Sequence, residues 1–72
     1  MADPVSWKVV ERGWRVRDAA GNDLGKVAEV RGDPEADIFD GITVKHGLLG
    51  QAEYVPSERV VEILEGEVVL AP

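Results

Sequence analysis

Seventy-two residues with no cysteine make one small domain held by packing alone, since neither a disulfide nor a thiolate metal site is available to it. Apolar residues at 44% and charged residues at 31% describe an ordered globular chain and exclude a disordered one. No apolar run nears the ~18 residues that span a bilayer. The net charge of −6 opposes non-specific binding to phosphate backbones, so nucleic acid is a disfavoured partner.

The charge is unevenly spread. Residues 1–36 carry six Lys/Arg against seven acids, while residues 37–72 carry only Lys45 and Arg59 against seven. The opening residues lack the cationic start and apolar middle of a secretion signal, which leads us to expect a cytoplasmic protein.

Residues 1–12 read as a lead-in segment, either a short helical turn or irregular chain, and the domain proper is expected over 13–72. From Trp14 the period becomes two. Trp14 and Val16 share one face and Arg15 and Arg17 the other, the pattern of a half-buried strand. Asp18, Gly21, Asn22 and Asp23 then supply turn chemistry. In the run 24–30 the apolar residues Leu24, Val27 and Val30 are three apart. A strand bulged near Gly25 fits this spacing, and so does one turn of helix, although the in-strand glycine favours the bulge.

Residues 31–37 read as a loop. Residues 38–45 follow as a strand with Ile38, Ile42 and Val44 on one face, and Gly41 marks a close backbone approach. His46 and the glycine-bounded Leu48 and Leu49 form the next loop. A strand from Gln51 ends at Pro56. A 3₁₀ turn is expected at Ser57 to Arg59, and then two strands joined at Glu65 and Gly66. Five or six short strands with no long helix give an all-β chain. At this size a small β-barrel removes the exposed edges of an open sheet.

Several sites are candidates for chemistry. Gly21-Asn-Asp-Leu-Gly25-Lys26 suggests a phosphate loop, but it has three spacers instead of four, and Val27 stands where a hydroxyl residue would hold Mg²⁺. Asp33, Glu35 and Asp37 have the spacing that begins a calcium loop, yet Ile38 replaces its glycine and Val44 its closing glutamate. A solvated acidic loop from Asp33 to Asp40 is the plainer reading, and a loose cation contact there stays open. His46 is the only histidine. With Ser57 it makes neither a triad nor a multi-histidine metal centre. No catalytic residue, metal site, cofactor or small-molecule substrate is therefore expected.

The candidate partner-binding residues are Leu48, Leu49, Arg15, Arg17 and Trp7. Adjacent leucines between glycines either contact a partner or fold down to plug a barrel end. Arginines beside tryptophans can hold phosphates and stack bases, or simply form a solvated face. Gly21, Gly25, Gly41 and Pro56 are read as structural turn positions.

The segments Gly13-Trp-Arg-Val-Arg-Asp, Gly21-Asn-Asp-Leu-Gly-Lys-Val-Ala-Glu-Val, Ile42-Thr-Val-Lys, Tyr54-Val-Pro-Ser-Glu-Arg-Val and Gly66-Glu-Val-Val-Leu occur in an order that resembles the PRC-barrel family. That family is named for the H subunit of photosynthetic reaction centres, and its barrel also occurs in a ribosome-maturation factor. The opening WKVVERGW and the GDPEADIFDG loop look like a short, stand-alone bacterial subgroup of unknown function. The resemblance implies a PRC-barrel-like domain that serves as a non-catalytic protein-interaction or scaffold module. We further expect a homodimer, from the small core, the absent staples and the valine-rich terminal hairpin. The alternative is an accessory RNA- or ribosome-associated factor using the Arg15/Arg17 face.

Overall fold

The computed structural model describes residues 5–46 and 50–72. Six strands, β1 (Arg15–Asp18), β2 (Asp23–Asp33), β3 (Ile38–Lys45), β4 (Ala52–Pro56), β5 (Val60–Leu64) and β6 (Glu67–Leu70), form one sheet in the order β4-β3-β2-β1-β6-β5. Neighbours are antiparallel except β1 and β6, which run parallel. The two edge strands, β4 and β5, are consecutive in the chain and are linked only by a 3₁₀ turn, Ser57–Arg59. So short a link forces the sheet to curl. The result is the expected all-β, barrel-like fold, a half-barrel in which no ladder joins β4 to β5 among the described residues.

The concave face is filled by Val16, Val27, Ile42, Val44, Val55, Val68 and Leu70, joined by Val10 from the lead-in. Five of these eight come from β1, β2, β3 and β4, and most are β-branched, which suits a pleated surface packed on one side. Each fully buried valine or isoleucine contributes about 1.5–3 kcal/mol relative to exposure.

The three-residue spacing of Leu24, Val27 and Val30 resolves as a strand with two irregularities. Register slips on the β1 side between Gly25 and Asp23, and on the β3 side between Val27 and Glu29. Each slip shifts the side-chain phase by one, so all three apolar residues turn inward to meet the core. At Gly25 φ is +124°, and a Cβ there would collide with the Lys45 carbonyl. Lacking a side chain, Gly25 lets β2 lie close against β3.

Two expectations are corrected. Residues 31–33 are not loop but the end of β2, where Arg31 pairs with Gly41, Gly32 with Phe39 and Asp33 with Ile38. The reversal is thereby shortened to residues 34–37, with Asp33 Oδ1 accepting the backbone N–H of Glu35 at 3.0 Å and of Ala36 at 3.3 Å. Ile38 does not share the core face of Ile42 and Val44, since it is 54% exposed. The register skips Asp40, and this bulge turns Phe39 toward the core and Ile38 outward. A Cβ on Gly41, just after the bulge, would collide with the Val55 carbonyl and press on the Tyr54 hydroxyl.

The lead-in is a 3₁₀ turn, Trp7–Val9, opened by Ser6, whose Oγ accepts the Lys8 N–H. It packs onto the sheet. Val5 N–H donates to the Ile63 carbonyl on β5 at 2.8 Å, and Val10 is buried with the core.

Candidate functional site

The outer face of β1, β2 and β3 collects positive charge. Val16, Val27 and Val44 point inward, so their chain neighbours Arg15, Lys26 and Lys45 point outward. The register sets these three side by side, with Arg15 opposite Lys26 and Lys26 opposite Lys45. Directly opposed residues on one sheet face have Cβ atoms about 4.5–5.5 Å apart, and like charges placed so are destabilising. Arg12 lies beside this row, its Nε donating to the Ala28 carbonyl at 3.2 Å. That bond fixes the guanidinium over β2 without neutralising it.

Together these residues line an open groove of ≈ 900 Å³, floored by Gly13, Gly25, Val27, Ala28 and Gly66. Among the described residues Asp23 is its one acid, and that carboxylate already accepts the Gly25 N–H at 3.0 Å. Four of the eight Lys/Arg therefore share a groove that only one acid lines among the described residues. None of the four forms an ion pair among the described residues.

The turn at residues 19–22 holds β1 against β2. Asp18 Oδ1 accepts the N–H of Ala20 at 3.0 Å and of Asn22 at 2.9 Å, and Oδ2 accepts the Asn22 side-chain amide at 2.9 Å. The Asn22 side chain first, and then its backbone N–H, holds the Asp18 carboxyl below its usual value of 3.8. Gly21 completes this turn, its N–H donating to the Asp18 carbonyl at 3.0 Å.

The residues singled out from sequence fall in different places. Arg15 is exposed in the groove. Arg17 is half-buried and ion-paired with Glu67 on β6 at 2.9 Å, and its Nη1 donates to the Asp18 carbonyl. The arginine pair is thus divided: one is free to meet a ligand and the other is engaged in the fold. Trp7 lies at another corner. It stacks on Phe39 with centroids 5.2 Å apart and planes 14° from parallel, while its Nε1 donates to Asp37 Oδ1 at 3.0 Å. Lys8 Nζ reaches the same oxygen at 3.6 Å.

Leu48 and Leu49 lie outside the described residues. In the acidic loop Asp33 and Asp37 are engaged by the protein itself. Among the described residues no three His, Cys, Asp or Glu side chains gather as a metal site would require. His46 is exposed at the end of β3, and Ser57 and Pro56 are half-buried at the 3₁₀ turn. No described helix is long and apolar enough to cross a membrane.

Sequence reasoning did not single out Arg12 or Lys45 and met Lys26 only at the end of the phosphate-loop stretch. Each is an outward strand or loop position that looks ordinary alone. Only the register across three strands makes them a cluster. Reading outward positions in pairs across the 19–22 turn would have joined Arg15 to Lys26.

No protein-family model matches the chain, and no curated protein matches it either. The molecule is, by its own geometry, a barrel-like all-β domain with a cationic outer groove.

Proposed function

We propose that this chain is a non-catalytic protein-interaction or scaffold module of the PRC-barrel type, acting with a protein partner and through self-association as a homodimer. The observation that carries this reading is the open half-barrel. Among the described residues β4 pairs only with β3, so one row of its backbone donors and acceptors faces outward, and such an edge is a template for another strand. Tyr54 on this edge strand is 51% exposed, and Val61 on the opposite edge strand is 57% exposed. A smaller groove beside the β5 edge, ≈ 410 Å³, is lined by Val5, Trp7, Phe39, Val60 and Ile63 together with Ser57 and Glu62.

The valines of β6 do not serve this contact, because Val68 and Val69 are buried within the chain itself. Self-association is therefore assigned to the sheet edge, where a second copy meets it through an isologous contact. Sedimentation at high micromolar concentration is expected to show a dimer that Tyr54→Glu dissociates while the fold is kept. A single 7.8 kDa species at that concentration would remove the dimer.

The RNA reading has one observation in its favour, the cationic groove. Two others weigh against it. Arg17 is already paired, and among the described residues no aromatic side chain lines the groove to stack a base.

A further inference from the structure

We infer that the groove formed by Arg12, Arg15, Lys26 and Lys45 is a docking site for an acidic, extended segment of a partner protein. This rests on the reading of the domain as an interaction module and names the chemistry of what it binds. The arrangement carries a cost to the fold. Lys26 stands between Arg15 and Lys45 on adjacent strands, where two like-charge neighbours oppose folding. The chain carries fourteen acids, yet the one in register beside Arg15, Glu67, is paired with Arg17, and among the described residues no acid forms an ion pair with Arg15, Lys26 or Lys45. Carboxylates supplied from outside complete the row.

The groove also has a suitable shape. Gly13, Gly25, Gly66 and Ala28 in the floor leave room for a main chain to lie across the strands between the long cationic side chains. Arg12, anchored on the Ala28 carbonyl, is oriented in advance for a carboxylate and loses little freedom on binding it.

The range of the field selects the ligand further. At physiological ionic strength charges act over about 8 Å, so a ligand feels the groove and not the acidic remainder only if its charge is confined to the groove. A short run of Asp or Glu is confined in this way. An RNA strand carries phosphates beyond the groove onto acidic surface, and without an aromatic platform it gains no stacking to offset the repulsion.

The test is fluorescence anisotropy with a labelled Glu-rich peptide, its Gln-substituted analogue and a single-stranded oligouridine of similar length. The Glu-rich peptide is expected to bind the whole chain and the Gln analogue not to. Binding should weaken steeply between ~0.05 M and ~0.5 M salt. Lys26→Glu and Lys45→Glu should each weaken it about tenfold or more, while Arg31→Glu, outside the groove, should leave it unchanged. Far-ultraviolet circular dichroism of each variant separates loss of binding from loss of fold. Peptide binding that is absent from the wild type, equal in Lys26→Glu, or weaker than oligouridine binding would overturn the inference. A wild-type dimer that takes no acidic peptide would remove the groove proposal and leave the interaction-module reading standing. A monomer that takes the peptide through Lys26 would keep the groove and remove self-association.

Discussion

The corner around Trp7 and the groove around Lys26 both place charged and polar side chains on the outside of the sheet, and they treat them in opposite ways. At the corner every group is answered from within the chain. Trp7 stacks on Phe39, its indole N–H meets Asp37, and Lys8 meets the same carboxylate. In the groove, three cations from three strands oppose one another, and among the described residues none has an ion-pair partner. A satisfied cluster stabilises the fold. A cluster held against its own repulsion is stabilised by what it binds.

That contrast sets the expected size and kind of each response. The largest is Trp7→Ala. It removes a half-buried stacked ring and a hydrogen bond to Asp37, and the lead-in loses its grip on β3. The cost is about 2 kcal/mol, or roughly 10 °C in thermal midpoint for a chain of this size. Acidic-peptide binding at a temperature where the variant is folded should be unchanged. A loss of binding as large as the loss of stability would join the two regions that the comparison separates.

Asp18 comes next, because its turn aligns Arg15 with Lys26. Its carboxyl is lowered in the folded chain, so the ionised group contributes stability above the unfolded value of about 3.8. That contribution is lost as pH falls through the lower folded value. In thermal melts across this acidic range, the wild-type midpoint should fall more steeply than that of Asp18→Asn. Equal slopes would show that the turn does not depend on the charge.

Arg17→Gln should have the smallest effect. It breaks one partly exposed ion pair with Glu67, costing less than ~1 kcal/mol, and leaves peptide binding intact, whereas Arg15→Gln weakens it. Equal effects on binding would return the two arginines to the single face they form in the sequence.

How much of this was legible beforehand follows from the range of the signal. The outward position of Arg15 beside the inward Val16, the Asp18 turn and the Ser57–Arg59 turn are set by residues within a few positions, and each could be read directly. The extent of β2 was not, because Gly32 and Asp33 look like loop residues until they pair with Phe39 and Ile38. Ile38 misled for the same reason, since a bulge at Asp40 inverts a phase that the alternation alone cannot reveal. The groove is the furthest from local signal. It depends on two register pairs and two register slips, and it joins residues as far apart as Arg12 and Lys45.

The row Arg15, Lys26, Lys45 is kept for binding against a cost in stability. Thermal melting of Lys26→Glu tests it most directly. The substitution turns two repulsive cross-strand neighbours into two attractive ones, each worth about 0.2–1 kcal/mol. A midpoint several degrees above the wild type is expected in low salt, roughly 4–8 °C for each kcal/mol gained, with the gain shrinking as salt is raised. A midpoint lowered by the substitution would contradict it, because Lys26 would then be a structural residue and the row no burden on the fold.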